Sequence, residues 1–282
     1  MELLIPVIAS MIWSLNPAVI YRFARGTPPF LFTSLRALLA LLVVGVLMLL
    51  SGMNLHGLPS LIMLLIVLSG VLGPGVGDVA YTRSIQLLGG SLAVVISYTY
   101  IFLAQAFSVL MLHEVLSYKA IAGSILAFTG VIVASFSNGL GKVNKKGILH
   151  AFSAAICWGL ATALIKAVEG YVDVLSLAFI RLISVALFTF FMSITVGERT
   201  SICGHALIAV AFTGILGWGI GMVLFIQAIY SLGVSVAVIA TAFTPILSQF
   251  TGKFIGGEKL SARTFIGALL VTLGILLQIV RQ

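Results

Sequence analysis

Long apolar runs, separated by short polar stretches, make up almost the whole chain. A helix needs about 20 predominantly apolar residues to cross the hydrocarbon core of a bilayer. Strands of a membrane barrel would alternate apolar and polar residues with period two, and runs such as Leu38 to Leu50 do not alternate. The pattern therefore predicts an all-α integral membrane protein. Cutting the chain at charges, Gly/Pro and Asn clusters predicts ten transmembrane helices, at 4–22, 29–51, 60–86, 89–112, 117–138, 148–168, 174–196, 204–230, 233–255 and 262–280.

Composition agrees with this prediction and excludes several other classes of protein. Hydrophobic residues make up 61% of the chain and charged residues 8%, with a mean hydropathy of +1.25. Soluble domains carry roughly 25% charged residues. A soluble enzyme, a nucleic-acid-binding protein and a disordered chain are therefore excluded. The net charge of +8 is interpreted as Lys and Arg in loops, which orient the helices, and not as a surface for a polyanion.

The sequence repeats itself at a shift of 144 residues. Between positions 88 and 117, ten of thirty residues recur without a gap, and they include Gln and Glu in the same order. At a shift of 145, Trp13 falls on Trp158 and Arg36 on Arg181. Such matches identify an internal duplication. The recurring residues in this segment are Leu88, Gly89, Ser91, Ala93, Val94, Leu103, Gln105, Glu114, Leu116 and Ser117. At the same shift, Gly70, Gly73, Gly75 and Gly77 recur as Gly214, Gly217, Gly219 and Gly221.

The duplication predicts two five-helix repeats, at 1–139 and 146–282. Because five is an odd number, the second repeat must enter the membrane from the opposite side, which makes an inverted-topology repeat. This architecture is the usual basis of alternating access, with the substrate bound near the midplane between the two halves.

The two repeats resemble the EamA-type members of the drug/metabolite transporter superfamily. The resemblance is carried by a Trp early in the first helix of each repeat, a Gly-rich third helix and a Glu-x-Leu-Ser element that begins at Glu114 and at Glu258. It covers essentially the whole chain. It implies a ten-helix secondary transporter with a central cavity, often an exporter of amino acids, other metabolites or drugs. The Gly73-Pro74-Gly75 interruption is a departure that affects the shape of the pocket.

Paired interruptions in the third helix of each repeat indicate a binding site. Gly73-Pro74-Gly75 lies at the same depth as Gly217-Trp218-Gly219. Proline removes a helical hydrogen bond, and glycine weakens the turn. Freed backbone groups must face protein or a cavity and not lipid, so we expect a break in the helix there. Close packing of helices through small residues is the alternative interpretation.

Three charged residues, Arg36, Asp78 and Arg181, lie well inside predicted spans, at least seven residues from either end. Arg36 and Asp78 lie at similar depth, and we expect them to pair because an intramembrane charge usually has a partner. Arg181 is the repeat mate of Arg36, but Met222 stands at the mate of Asp78. A substrate carboxylate is therefore one candidate partner for Arg181; a bond to helix-end carbonyl groups or snorkelling to the interface is the other.

Polar and aromatic side chains complete the predicted cavity. Aromatic rings supply apolar walls, and amides fix the orientation of a ligand. Glu114 and Glu258 are expected to cap the following helices or to pair with nearby bases, and Asp78 is the better candidate for coupling to protons. The predicted substrate-binding residues are Trp13, Asn16, Arg36, Asp78, Tyr81, Tyr98, Tyr100, Gln105, Trp158, Arg181, Trp218, Gln227, Thr241 and Gln249.

The sequence thus predicts a secondary active transporter of a small metabolite, an amino acid or organic anion, that works by alternating access and exports its substrate. The alternatives are a multidrug efflux carrier and a flippase for lipids or lipid-linked sugars. No enzyme activity, cofactor or metal is expected, because the sequence contains no P-loop, HExxH, CxxC or Ser-His-Asp grouping. The expected partners are the substrate and the lipid bilayer, with no nucleic acid.

The distribution of basic residues predicts how the chain lies in the cell membrane. Ten Lys and Arg fall in the odd-numbered connections between spans and three on the opposite side, which favours cytoplasmic odd connections and external termini. We expect a multi-pass protein of the plasma or inner membrane, as a monomer or weak homodimer.

Overall fold

The chain is described by a computed structural model, and its regular structure is helical throughout the described residues. These residues are 4–52, 57–112, 118–135, 144–198, 202, 204–234, 237–238, 241–259 and 261–277. The all-α prediction is confirmed for them.

The described residues of the first half form seven α-helices and one π-helical segment. Their bounds follow the predicted spans to within a few residues, except that the fourth span is divided at Tyr98 and Thr99. The elements are α1 (Leu4–Phe23), α2 (Pro29–Leu50), α3 (Ser60–Gly70), the first π-segment (Val71–Gly77), α4 (Asp78–Leu88), α5 (Gly90–Ser97), α6 (Tyr100–Leu112) and α7 (Tyr118–Ser135).

The second half has a corresponding series of helices. A short 3₁₀ turn, Thr241–Phe243, precedes the described helix of the ninth span. The elements are α8 (Lys145–Ala167), α9 (Val174–Thr195), α10 (Gly204–Phe212), the second π-segment (Thr213–Met222), α11 (Val223–Leu232), α12 (Thr244–Phe254) and α13 (Ala262–Leu276).

Seven of these helical stretches are long and apolar enough to cross a membrane. They correspond to the first four and the sixth to eighth of the ten predicted spans, and shorter apolar helices lie at the fifth and tenth, Ile121–Ala134 and Ala262–Gly274. Large apolar side chains point outward along them, and Leu49 is 83% exposed. An exposed apolar surface of this extent suits lipid and not water. The chain is a multi-pass membrane protein.

The third span of each half is widened into a π-helix and is not broken. In the first half the helix runs from Ser60 to Leu88 through the π-segment that contains Pro74. The second half has a π-segment without a proline. The prediction of a break was therefore wrong: the extra residue of a π-turn accommodates the irregular sequence while the helix continues.

A glycine directly before the first π-segment and one within the second bring the halves together. A Cβ added at Gly70 would lie 2.8 Å from the backbone oxygen of Arg181, and one at Gly214 would lie 2.8 Å from that of Arg36. The third span of each half thus touches the arginine helix of the other half. Only glycine allows backbones to approach so closely, which gives the recurring glycines a packing role beside any role at a site.

Candidate functional site

A cavity of about 120 Å³ lies where the two halves meet. The π-segments bring Pro74 and Trp218 to its wall, and α2 and α9 contribute one arginine each. It is lined by Trp13, Asn16, Ile20, Arg36, Gly73, Pro74, Asp78, Tyr81, Tyr98, Tyr100, Trp158, Ala161, Thr162, Ile165, Arg181, Trp218, Met222 and Phe225. Apolar and aromatic walls with a few converging polar groups are typical of a small-molecule site.

The predicted ion pair forms in the wall of this cavity. Nη2 of Arg36 lies 3.3 Å from Oδ2 of Asp78. The guanidinium carbon of Arg36 also lies 4.0 Å from the ring centroid of Trp218, within the range of a cation–π contact. With only 1% of Arg36 exposed, these two partners compensate the burial of its charge.

Asp78 is held from its other side by a tryptophan of the second half. The indole nitrogen of Trp158 donates to Oδ1 of Asp78 at 2.7 Å. Gly77 makes room for this indole, since a Cβ at that position would lie 2.8 Å from Cδ1 of Trp158. Asp78 is the first residue of α4, directly after the π-segment. The end of the π-segment thus fixes the position of the carboxylate.

Arg181 lies in an environment that its repeat mate does not share. It is 4% exposed, and its Nη2 donates to the backbone oxygen of Ser69 at 3.4 Å. Among the described residues it forms no salt bridge, and its Nε has no hydrogen-bond partner. The predicted contact with a carbonyl group is present, but a carbonyl does not neutralise the charge. Arg181 therefore presents to the cavity a buried cation that has no salt-bridge partner among the described residues.

Aromatic rings form much of the remaining wall. The rings of Tyr81 and Trp158 are 4.8 Å apart, and those of Trp158 and Tyr100 are 5.8 Å apart, both edge to face. On the opposite side Trp13 packs against Phe225 at 5.1 Å, and its indole nitrogen donates to the backbone oxygen of Gly217 at 2.8 Å. These contacts hold the rings in place, so the wall is largely preformed.

The structure brings most of the predicted site residues together. Ten of the fourteen line the cavity: Trp13, Asn16, Arg36, Asp78, Tyr81, Tyr98, Tyr100, Trp158, Arg181 and Trp218. The other four do not line it. The rotation of each helix decides where a side chain points, and this rotation cannot be read from the residue type. These four are Gln105, buried in α6; Gln227, exposed on α11; Thr241, bonded to the hydroxyl of Tyr100; and Gln249, whose amide donates to the backbone oxygens of Ser91 and Pro245.

Several lining residues were missed because they are small or apolar. The repeat contains the signal that finds them: Phe225 is the mate of Tyr81 at a shift of 144, and Ile165 that of Ile20 at a shift of 145. Ala161 is likewise the mate of Asn16. A search by repeat position and not by residue type would have identified them.

Glu258, at the end of the ninth span, ties the two halves together. The carboxylate of Glu258 accepts from the backbone nitrogens of Gly90 and Ser91 and from the hydroxyl of Ser91. It therefore caps α5 of the first half, and the prediction that it caps the following helix was wrong. Chain proximity suggested the next helix, whereas the fold places α5 beside the end of α12. Glu114 lies outside the described residues.

The chain is similar to known transporters. It matches the model of the EamA-like transporter family at residues 1–136 and 145–280. It is 27% identical over 214 residues to an uncharacterized transporter of Archaeoglobus fulgidus, a match that covers 76% of this chain and 75% of that protein. It is 22% identical over 274 residues to the uncharacterized transporter YoaV of Bacillus subtilis, covering 94% and 92%.

A protein known from its crystal structure has a similar fold. The TM-score is 0.75 at 22% sequence identity, and the match covers 98% of this chain and 95% of that one. At this identity the likeness concerns the fold alone.

Proposed function

The chain belongs to the EamA-like transporter family, within the drug/metabolite transporter superfamily, and from that premise we propose that it is a secondary carrier for small metabolites that bear a free carboxylate, either organic anions or zwitterionic amino acids. The resemblance stated from the sequence is thus confirmed at the level of the family. The substrate class is argued from the cavity.

One observation carries the proposal: Arg181 is buried in the cavity wall and forms no salt bridge with any described residue. A charge inside the hydrocarbon region is costly and normally has a partner. Arg36 has such a partner in Asp78, and the second half offers Met222 at the corresponding position. A carboxylate on the substrate would complete the site, with charge-assisted hydrogen bonds from the guanidinium group.

Size and charge favour a small anion over the alternatives. The cavity of about 120 Å³ is smaller than pockets for drug-sized ligands, which hold roughly 300–1,000 Å³, so a lipid-linked sugar is disfavoured. A cationic drug would require a free carboxylate, and Asp78 is already bonded to Arg36. The aromatic walls suit the apolar body of a metabolite.

We propose that transport follows alternating access between two inverted five-helix halves, with ten spans in all. The reciprocal contacts of Gly70 with Arg181 and of Gly214 with Arg36 support this proposal, since a two-fold relation between the halves would produce them. The same proposal includes cytoplasmic odd connections, external termini, a location in the plasma or inner membrane, and a monomer or weak homodimer as the oligomeric state. Labelling a cysteine added at either terminus from outside intact cells tests the orientation.

Transport by proteoliposomes tests the function directly. Vesicles loaded with short-chain carboxylates, amino acids, nucleotide sugars or cationic drugs should show trans-stimulated counterflow with carboxylates and amino acids. A channel would show no trans-stimulation. Arg181→Gln should abolish counterflow, whereas Arg83→Gln, at an exposed position on α4, removes the same charge outside the cavity and should not. Equal transport by Arg181→Gln and the unchanged protein would contradict the proposal.

Direction and energy coupling require separate assays. We propose export, the direction implied by the family resemblance, and coupling to protons through Asp78. Everted vesicles should accumulate substrate when a pH gradient is imposed. Acid-dependent uptake that persists in Asp78→Asn would contradict a proton site at this residue.

A further inference from the structure

The charges of the cavity are unequal between its halves. Each half supplies one arginine, and the first half alone supplies an acid, which lies 3.3 Å from Arg36. With both arginines protonated and Asp78 ionised, these groups leave one net positive charge (two minus one). A ligand with a single negative charge neutralises the site, whereas one with two leaves an uncompensated negative charge inside the membrane. Such an excess is costly there.

We propose that Asp78 determines how many carboxylates the substrate carries: it occupies Arg36 and thereby limits the carrier to substrates with a single carboxylate. This inference rests on the proposed binding of an anion at Arg181. In this role Asp78 is a specificity-determining residue, because it removes the second guanidinium group from the set available to a ligand.

The two arginines are placed to share one ligand once Asp78 is neutral. Both line the same cavity, and the helices that carry them, α2 and α9, pack directly against each other. Within the described part of the chain, Nε and Nη1 of Arg36 and Nε of Arg181 have no hydrogen-bond partner. Buried donors are nearly always satisfied in native proteins, so free N–H groups on both arginines indicate capacity for further acceptors.

The substitution Asp78→Asn removes the charge of this side chain and keeps its size and packing. Its Oδ1 can still accept from the indole of Trp158, which donates to Oδ1 of Asp78 at 2.7 Å. Arg36 then loses its counter-charge while the cation–π contact with Trp218 remains. The site gains a second free cation, and a short dicarboxylate can place one carboxylate at each arginine.

A substitution at Met222 allows the opposite change, the addition of an acid to the second half. Met222 lines the cavity at the repeat position of Asp78. By the two-fold correspondence, an aspartate there faces Arg181 as Asp78 faces Arg36. Met222→Asp should therefore neutralise the site and remove monoanion binding. Combining it with Asp78→Asn moves the acid from one arginine to the other, restores the net charge, and should restore monoanion binding.

The experiment measures binding of propionate, lactate, malonate and succinate to the full-length purified protein, by thermal shift and by counterflow in proteoliposomes. The unchanged protein should respond to the two monoanions and not to the two dianions. In Asp78→Asn the affinity for succinate should rise about tenfold or more, the ratio that one charge-assisted hydrogen bond supplies. Asp173→Asn is the matched control: it removes the same charge at the N-cap of α9, where asparagine caps equally well, and should leave the response to both classes unchanged.

Several results would overturn the inference. They are equal binding of dianions and monoanions by the unchanged protein, no gain for succinate in folded Asp78→Asn, or unaltered monoanion binding in Met222→Asp. If Asp78→Asn is too unstable to purify, Met222→Asp alone decides: loss of monoanion binding in the folded variant supports the inference, and retained monoanion binding overturns it. A protein that responds to no anion of either class contradicts the proposed function itself, which separates the two failures.

Discussion

The two halves of this transporter carry the same arginine in different surroundings. Arg36 is paired with Asp78 and stacked on Trp218, whereas Arg181 has one carbonyl contact at 3.4 Å. Duplication supplied both arginines, and the loss or gain of one acid made them unequal. The comparison shows that residues at corresponding positions of a sequence repeat can have different surroundings because single neighbouring side chains differ.

The largest effect that tests this difference is on stability. Arg36→Met leaves Asp78 buried without its partner, and breaking a buried ion pair costs about 3–5 kcal/mol. Arg181→Met removes an uncompensated charge, so its unfolding temperature should be unchanged or higher. Thermal denaturation in detergent, with Arg83→Met as the exposed control, measures both. Equal destabilisation by the two cavity variants would show that the arginines are not in different environments.

The glycine contacts provide a test of what the halves share. Gly70→Ala and Gly214→Ala each place a Cβ 2.8 Å from a backbone oxygen of the opposite half. Overpacking of this kind costs about 1–3 kcal/mol, so the two variants should lower stability and transport to a similar degree. Gly204→Ala, where nothing lies within 4 Å, is the control. A large loss in one half alone would contradict an equivalent packing of the two π-segments.

The paired tryptophans should differ by a smaller amount. Trp158 donates to the carboxylate of Asp78, whereas Trp13 donates to the backbone oxygen of Gly217. Because hydrogen bonds to charged groups are worth roughly 1.5–3 kcal/mol and neutral ones about 0.5–1.5 kcal/mol, Trp158→Phe should destabilise by about 1 kcal/mol more than Trp13→Phe. Phenylalanine keeps an aromatic wall in both cases. Unfolding curves in the same detergent measure the difference, and a larger effect at Trp13 would reverse this assignment.

The smallest expected effect on stability concerns the N-terminal caps of α2 and α9, the second helix of each half. The carboxylate of Glu198, from the second half, accepts from the backbone nitrogens of Phe30 and Leu31 at the start of α2. The start of α9 is instead capped by its own Asp173. Glu198→Gln removes the charge from a helix N-terminus and should cost about 0.3–1 kcal/mol, while Asp173→Asn should cost less. High salt should reduce the difference, and a salt-independent loss would point to a packing effect.

Much of the cavity could be predicted from the chain because charge inside an apolar run is rarely accidental. Arg36 and Asp78 were predicted to pair from depth alone, and they do. The amides Gln227 and Gln249 were wrongly placed, since a polar residue on a helix can point to a cavity, a neighbouring backbone or the exterior. Likewise, glycine and proline in the third span indicated an irregular helix but not that it continues as a π-helix.

Composition, run length and spacing along the chain were enough to predict the membrane location, the helical class, the duplication and the transporter family. The packing of the helices, in contrast, decides that Trp158 reaches Asp78, that Glu258 caps α5, and that Arg181 forms no salt bridge with any described residue. These contacts join residues 80 to 168 positions apart. Helix rotation and crossing decide them, and both are set by the packing of the two halves against each other.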